Sequence, residues 1–450
     1  MKSIKIASGA GYAGDRVCPA LDIIKADVAD YMIFECLAER TIALAQKEKQ
    51  ENPDRGYNHL LEYRMEQVIP LLAKHPIKII TNMGAANPVA AAKKISAIAM
   101  KHGLSHLKVV AVVGDDVFDY VKEHPELRVV ENHLTLAKVT DEVISANAYI
   151  GAAGIYQALA EGADLVVTGR VADPALVTGP LMYEFGCNDD FDFLGKTVVA
   201  GHLLECGAQV CGGYFADPGK KEVPELWNLG FPIITVYENG DLIIEKLPHT
   251  GGLIDVRTVK EQLLYEVQDP ATYLTPDVVA DFSNICVEQV ADHQVKVTGA
   301  TGRASTGKLK VSVGYCDGWI GTGEISYGGE NCVARAKLAI QIIKKRLELY
   351  EFEPLDVRYE LLGVNSLYQS TEVTNLQEVR MRVAIRVETK AQAEALGREV
   401  ETLYTNGPAG GGGVRTTAEK VVSVVSVLIP SAVVSQEIKW IQGGVADEVI

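Results

Sequence analysis

The chain has 450 residues, of which 48% are hydrophobic and 7% aromatic, so it can bury a large core and is expected to divide into two or three domains. It carries 43 Lys and Arg against 59 Asp and Glu, a formal net charge of −16. Because proteins bind nucleic acids largely by neutralising phosphates with cations, this charge argues against a nucleic-acid partner.

The N-terminal residues MKSIKIA alternate polar and apolar side chains, so we expect no secretory signal. The least charged stretches, 143–160 and 421–436, are diluted by polar residues, glycine or proline, and neither predicts a membrane span. The eight cysteines include no C-x-x-C pair. We therefore expect reduced thiols and a cytoplasmic protein without a membrane partner.

Short apolar runs alternate with helical patterns through the first half of the chain. The predicted strands are Ser3–Ser8, Tyr31–Glu35, Ile77–Asn82, Lys108–Gly114 and Asp164–Gly169. The predicted helices are Leu37–Lys49, Leu60–Lys74, Val89–Lys101 and Ala152–Glu161. Such alternation is typical of βαβ units. Residues 1–219 are therefore predicted to form an α/β domain, a mostly parallel sheet with helices on both faces.

The pattern changes after about Gly219. Two apolar runs flank Asn239-Gly240, which predicts a β-hairpin closed by a type I′ turn. Further elements are a strand over Lys308–Tyr315, a long amphipathic helix over Cys332–Tyr350 and, later, a strand, a helix and an apolar segment at 379–388, 392–404 and 421–429. Residues 220–450 are predicted to form an α+β domain with a hairpin, a long helix and a glycine-rich loop.

Polar side chains follow the predicted parallel strands. Ligands bind open parallel sheets outside the carboxyl ends of the strands, and the segments at those ends are GAGYAGDR (9–16), Glu35, TNMGAANP (81–88), GDD (114–116) and TGRVADP (168–174). Asp and Asn also cap helices and glycine also closes turns, so each residue alone has an ordinary explanation. Their conjunction predicts a ligand site at this edge.

The first of these segments has the spacing of a dinucleotide-binding fingerprint. Gly9, Gly11 and Gly14 follow a strand, and Glu35 comes about twenty residues later. However, Asp15 stands at the helix start, where its carboxylate would repel a pyrophosphate. NAD is therefore not the expected cofactor, although an NAD(P)-dependent oxidoreductase stays open as an alternative, and we favour a glycine turn that lines another ligand.

Two other cofactor motifs are incomplete. Gly302–Lys308 has P-loop spacing, but Leu309 replaces the magnesium-binding hydroxyl and a strand follows, so ATP binding is not predicted. There is no H-E-x-x-H motif and no cysteine cluster. The strand-end carboxylates could hold a hard divalent cation such as magnesium, and the metal is left open.

Two further segments are rich in chemically useful residues. The segment 201–213 contains His202, although a buried structural histidine is the more common outcome for such a position. The segment 407–415 contains four consecutive glycines before Arg415, which indicates either a close approach of backbone to a ligand or a flexible lid.

Taken together, the segments 9–16, 34–41 (FECLAERT), 81–88, 168–174 and 410–415 resemble the acyclic terpene utilisation protein A (AtuA) family, over essentially the whole chain. Many members carry an additional small C-terminal domain, which this chain, ending at Ile450, is expected to lack. That part would then be dispensable or supplied by a separate small subunit.

The resemblance implies the catabolism of branched carboxylic acids or acyl-CoA esters, and it brings no catalytic assignment. Strand-end placement predicts acid–base chemistry, such as adding or removing water across a double bond, which would make the protein a lyase of the hydratase type. The predicted catalytic residues are Asp15, Glu35, Asn82 and Asp173. The predicted substrate-binding residues are Gly11, Gly14, Arg16, Gly84, Arg170, His202 and Arg415.

The roles follow from side-chain chemistry. The arginines would bind a substrate carboxylate, Asp15, Glu35 or Asp173 would move the proton, and Asn82 would stabilise an enolate-like oxygen. The alternative class is a non-catalytic subunit that needs a small partner protein. A homo-oligomer is expected from the size of the chain.

Overall fold

A computed structural model describes the chain over residues 2–140, 142–368, 376–442 and 445–446. Its strands are β1 (Ser3–Ala10), β2 (Tyr31–Phe34), β3 (Lys78–Thr81), β4 (Val109–Val113), β5 (Val143–Ala148), β6 (Leu165–Thr168), β7 (Pro232–Tyr237), β8 (Leu242–Lys246), β9 (Tyr273–Leu274), β10 (Val278–Asp281), β11 (Cys286–Ala291), β12 (Gln294–Thr298), β13 (Thr301–Ala304), β14 (Lys308–Gly328), β15 (Asp356–Leu362), β16 (Glu378–Val387), β17 (Gly411–Pro430), β18 (Glu437–Gln442) and β19 (Val445–Ala446).

The helices are α1 (Cys18–Ala26), α2 (Glu39–Glu51), α3 (Leu61–Val68), α4 (Pro88–Lys101), α5 (Phe118–Glu123), α6 (Leu136–Val139), α7 (Ala153–Ala160), α8 (Ala175–Phe185), α9 (Phe191–Glu205), α10 (Val256–Leu264), α11 (Cys332–Leu347) and α12 (Lys390–Asn406). Short 3₁₀ turns cover Ile69–Ala73, Gly207–Gln209, Leu226–Asn228 and Ser431–Val433. Within the described ranges, no helix is both long enough and apolar enough to cross a membrane.

The chain forms two compact units. The first comprises residues 1–314 and 424–450, and the second comprises residues 315–423. The change of pattern at about Gly219 falls inside the first unit, because β7 pairs antiparallel with β1 and so adds the later hairpin to the N-terminal sheet.

The large sheet of the first unit has the order β11-β12-β8-β7-β1-β2-β3-β6-β4-β18-β19. Its centre, from β1 to β4, is parallel, and antiparallel strands extend it on both sides. The short central strands are buried on both faces, which explains their continuous apolar sequences. The predicted mostly parallel α/β sheet is confirmed, and all five predicted strands are present.

Helices cover both faces of this sheet. Alternate residues of the central strands, such as Met32, Ile79 and Val167, pack with α1, α3 and α4 in one core. Helix α8 contacts β1 and β2, and helix α9 contacts β1 and β7. The strand β5 and the helices α1, α8 and α9 were not among the predicted elements. The carboxyl ends of the parallel strands therefore lie at one edge of a sheet that helices cover on both faces.

The hairpin of β7 and β8 forms where it was predicted, but its turn differs. Gly240 alone among the turn residues has a positive φ, 80°, whereas a type I′ turn needs two. The Gly240 N–H donates to Tyr237 O at 2.7 Å and the Tyr237 N–H donates to Asp241 O at 2.9 Å. This is a type I turn followed by a left-handed glycine, so the type I′ prediction was wrong.

The second unit is built on β14, α11, β15, β16, α12 and β17, with the strand order β15-β16-β14-β17. This is the split βαβ arrangement of ferredoxin-like folds. Helices α11 and α12 pack on one face of the sheet. The predicted long helix is confirmed as α11. The segment 411–415 lies in β17, so most of the predicted glycine-rich loop is a strand.

Two glycines of β14 offer a matched test of strand–helix packing. A Cβ on Gly321 would lie 2.3 Å from the Ala393 carbonyl oxygen of α12, whereas a Cβ on Gly328 meets nothing closer than 3.7 Å. We expect Gly321→Ala to lower the free energy of unfolding by about 1–3 kcal/mol, and Gly328→Ala to leave it unchanged or slightly higher. Urea unfolding of both variants measures this, and equal effects would contradict the packing argument.

Candidate functional site

Glu35 follows β2 directly and is held by two hydrogen bonds. Its Oε1 accepts from the Leu37 N–H at 2.9 Å and from Asn82 Nδ2 at 2.9 Å. Asn82, which follows β3, is fully buried, and its Oδ1 accepts from the Cys36 N–H at 2.7 Å. Both ends of the Asn82 amide are therefore engaged. Asn82 orients Glu35, which leaves little capacity for the enolate-stabilising role that the sequence predicted.

Arg170, in the loop after β6, is only 1% exposed. Its Nη1 donates to Leu37 O at 2.6 Å, and its Nε and Nη2 donate to Val171 O at 3.1 and 2.6 Å. Nη2 also contacts the Asp173 carboxylate, and the guanidinium lies 4.4 Å from the centre of the Tyr149 ring. The Arg170 guanidinium, which the sequence predicted to bind a substrate carboxylate, therefore joins several loops internally.

Burial and charge act differently on the pKa values of two neighbouring carboxyl groups, Glu35 and Asp173. Burial raises the pKa of Glu35 well above its ordinary value, and the negative charge of Asp173 raises that pKa further. Burial also raises the pKa of Asp173, but the Arg170 guanidinium opposes that effect. Since the Asp173 side chain is 35% exposed and touches the guanidinium, we place the negative charge on Asp173 and the proton on Glu35.

Tyr149, just after β5, extends this cluster and was not predicted. Its hydroxyl donates to Glu39 Oε1 at 2.6 Å, and Lys310 Nζ lies 3.1 Å from the same oxygen. Burial would raise the pKa of Glu39, but these partners lower it to about 2. Strand β5 was not predicted, because its sequence, VISANA, lies in a stretch that was considered only for its low charge.

Asp115 ties the end of β4 to the Arg170 loop. Its Oδ2 accepts from the Arg170 N–H and from Asn147 Nδ2, both at 2.9 Å. Burial raises the pKa of Asp115 to about 6, although these hydrogen bonds act in the opposite direction. Asp116, by contrast, accepts from Gln46 Nε2 at 3.1 Å and from the Phe118 N–H at 3.2 Å, as a residue that caps local structure would.

The glycine loop after β1 is closed by Asp15. Asp15 Oδ2 accepts from the Gly11 N–H at 2.9 Å and Oδ1 accepts from the Arg16 N–H at 2.8 Å. A Cβ on Gly11 would lie 2.3 Å from the backbone of Cys206. Gly11 thus lets two loops approach each other, and the N–H that a pyrophosphate would use already donates to a carboxylate.

Four other predicted residues have local surroundings of their own. A Cβ on Gly84 would lie 2.4 Å from Thr168 O, so this glycine serves packing. Gly14 is exposed, and the exposed Arg16 donates from Nη1 to Trp227 O at 2.8 Å. Arg415 lies in β17 of the second unit, on an open basin of about 670 Å³.

His202 is completely buried near the end of α9, where its Nδ1 lies 2.8 Å from Glu205 Oε1. Among the predicted residues, the structure brings Glu35, Asn82, Arg170 and Asp173 into one connected cluster. In the part of the chain that is described, no group of three or more His, Cys, Asp or Glu side chains is arranged to hold a metal ion.

A pocket of about 250 Å³ adjoins this cluster. Cys36 and Leu37, the two residues after Glu35, line it together with Ala13, Leu44 and Ala85. The lining is mainly apolar, with Thr41, Asn58 and His59 among its polar members. An apolar cavity suited to a hydrocarbon group therefore lies beside the segment that follows Glu35, although the Glu35 side chain is not itself part of the lining.

A family model described as "Acyclic terpene utilisation family protein AtuA" matches residues 4–440. The chain belongs to this AtuA family. The match includes every predicted site residue from Gly11 to Arg415, in both compact units. Searches of curated proteins and of solved structures find no match for the chain.

The burial of Arg170 predicts a structural cost for its removal. We expect Arg170→Met to lower the free energy of unfolding by about 3–5 kcal/mol, because Asp173 would lose its buried partner. Arg16→Met is the control, since Arg16 is exposed, and it should change stability by less than about 1 kcal/mol. Chemical denaturation measures both, and a fully stable Arg170→Met protein would contradict the internal role.

The raised pKa of Asp115 predicts a dependence of stability on pH. The folded state binds the Asp115 proton more tightly than the unfolded state. The stability that this proton contributes to the fold is complete below about pH 3.8 and is lost as pH rises through about 6. At pH 7, Asp115→Asn should therefore be more stable than the unmodified protein by on the order of 3 kcal/mol. The difference should vanish near pH 3.5, and denaturation series at the two pH values test this.

Proposed function

We propose that this AtuA-family protein is an enzyme that adds water to, or removes it from, a double bond next to the carboxyl carbon of a methyl-branched acid or its coenzyme A ester. The observation that carries the proposal is the buried Glu35 carboxyl, held by the Leu37 N–H and Asn82 beside the Asp173–Arg170 ion pair, where burial raises its pKa. A buried carboxyl with a raised pKa can donate a proton at neutral pH.

Glu35 would exchange a proton with the carbon next to the carbonyl group. In the direction of hydration, the Glu35 proton forms the new C–H bond while a water oxygen bonds to the neighbouring carbon and releases its own proton. Dehydration reverses each step. Asp173 transfers no proton in this scheme. Its role is electrostatic, because its negative charge, held by Arg170, raises the pKa of Glu35.

The pocket beside Glu35 supports a branched hydrocarbon substrate. Leu44 and Ala85 contribute apolar surface, while Leu37 links the pocket to the Glu35 hydrogen bond. Acyclic terpenes, which the family description names, are methyl-branched hydrocarbons. Burial of their methyl groups in such a pocket stabilises the complex by roughly 0.8 kcal/mol for each buried CH₂-sized group.

The proposal predicts a specific loss in Glu35→Gln. Glutamine keeps an oxygen that can accept from Leu37 and Asn82, so the fold should persist, but the variant has no proton to transfer. We expect turnover to fall at least about a hundredfold with little change in substrate affinity. The wild-type rate of hydration, in which Glu35 is the acid, should fall as pH rises through the raised pKa of Glu35, and the variant should lack this alkaline limb.

The assay follows deuterium from D₂O into a saturated, β-methyl-branched acyl-CoA by mass spectrometry, and hydration of the matching α,β-unsaturated ester by chromatography. Asp22→Asn, at an exposed carboxylate on α1, is the control and should behave as wild type. Absence of both reactions in wild-type protein, with acids and esters alike, would refute the proposal. A Glu35→Gln variant that is fully active but melts early would make Glu35 a structural residue.

A further inference from the structure

A second cluster of buried polar side chains lies at the end of α9. His202 and Glu205 share its last turn, with His202 Nδ1 2.8 Å from Glu205 Oε1. Gln262 of α10 donates from Nε2 to the His202 carbonyl oxygen at 2.9 Å. The Tyr273 and Phe282 rings flank the imidazole with centroid distances of 5.4 and 5.7 Å. These contacts fix the ring plane of His202.

Three buried polar atoms of this cluster are unpartnered. Within the described residues, seven buried side-chain nitrogen or oxygen atoms have no hydrogen-bond partner, and three of them are His202 Nε2, Glu205 Oε2 and Gln262 Oε1. All three parent side chains are at least nine-tenths buried. Buried polar atoms are normally satisfied by protein, water or ligand, so their concentration in one contact cluster indicates a site for a small polar group.

The free atoms define what that group must offer. If His202 Nδ1–H donates to Glu205, a neutral imidazole presents Nε2 as an acceptor. Glu205 Oε2 is an acceptor, and so is Gln262 Oε1, because the amide nitrogen of Gln262 already donates. In this neutral form of His202 the three atoms offer no donor to a carboxylate or phosphate, whereas water or a hydroxyl group supplies protons to such acceptors.

This cluster lies next to the loop that carries Asp173, because a Cβ on Gly201, the residue before His202, would lie 2.5 Å from Pro174 Cα. The negative charge of Asp173 raises the pKa of Glu35 and also that of Glu205. On the other side, the Glu35 N–H donates to Ala10 O, and a Cβ on the next residue, Gly11, would lie 2.3 Å from the backbone of Cys206, which follows Glu205. The two groups of ionisable side chains therefore share one electrostatic environment, with Asp173 common to both.

We propose that His202, held by Glu205, binds the water molecule that adds to the substrate double bond and removes its proton through Nε2. This inference rests on the proposed function. In hydration, the water oxygen forms a bond to the β-carbon as its proton passes to Nε2, and Glu35 donates its proton to the α-carbon. Bulk water then carries a proton from His202 back to Glu35. In dehydration, protonated His202 donates to the leaving hydroxyl group.

The proposal predicts that the two halves of the reaction separate. Deuterium exchange at the α-carbon of the saturated acyl-CoA needs only the deprotonated form of Glu35, which removes the α-proton and returns a deuteron, whereas hydration of the unsaturated ester needs both residues. We expect His202→Gln to keep exchange within about threefold of wild type and to lose hydration by at least about a hundredfold. Glu35→Gln should lose both. The surface variant His106→Gln is the control and should retain both reactions.

Glu205→Gln supplies a second readout if His202→Gln does not fold. The titratable groups that face His202 are Glu205 on its own helix, Glu266 after α10 and Tyr273 on β9. Burial lowers the pKa of His202. Glu205 and the other partners raise it by more, so the pKa lies above its ordinary value. Removing the Glu205 charge should therefore shift the acidic limb of the hydration profile to lower pH.

The outcomes distinguish the two proposals. If wild-type protein shows neither exchange nor hydration, the proposed function fails. If exchange depends on Glu35 but His202→Gln hydrates at the wild-type rate, the inference about His202 is overturned while the proposed function stands. An unchanged acidic limb in Glu205→Gln would also overturn it, because a base held by that carboxylate must titrate differently once the charge is gone.

Discussion

The guanidinium of Arg170 is the interaction on which the strand-end site depends. It hydrogen bonds to the carbonyl oxygen of Leu37, after β2, and to Asp173 in its own loop. The backbone N–H of Arg170 donates to Asp115, after β4, and its guanidinium stacks on Tyr149, after β5. One buried cation thus connects the ends of four strands, and the large desolvation cost of that charge is offset only while all these partners stay in place.

This arrangement also explains how one site holds carboxyl groups in different protonation states. Leu37 accepts from Arg170 through its carbonyl oxygen and donates to Glu35 through its N–H. The ion pair with Asp173 and the orientation of Glu35 are therefore set by the same short segment. Because Asp173 keeps its charge and Glu35 lacks a cation in direct contact within the described residues, the proton stays on Glu35.

The sequence predicted the sheet well, because fully buried parallel strands need continuous apolar runs such as those of β4 and β6. It also placed Glu35, Asn82 and Asp173 at one edge, since parallel strands carry their ends to the same side. It could not show that Arg170 is buried, because arginine is usually exposed and the partners that bury it come from distant strands.

Other features depended on contacts that no local pattern reveals. Gly11 was interpreted through a phosphate-binding motif, yet its small size is required by the backbone of Cys206, far along the chain. Arg64 lies on the same face of α3 as the apolar residues Leu61 and Met65, and its Nη2 donates to Asp15 O at 2.8 Å. A charged residue on an apolar helix face was the available signal, but its partner could not be deduced.

The balance of charge at the strand ends bears on the form of the substrate. Arg170 is committed to Asp173 and backbone oxygens, and Lys310 is paired with Glu39. Glu205 adds a further acidic group to the same environment. A free carboxylate entering this site would meet acidic groups and cations that already have partners, whereas a thioester is neutral at its carbonyl carbon. On the proposed function, the charges at the strand ends therefore favour a thioester carbonyl over a carboxylate at the reacting end of the substrate.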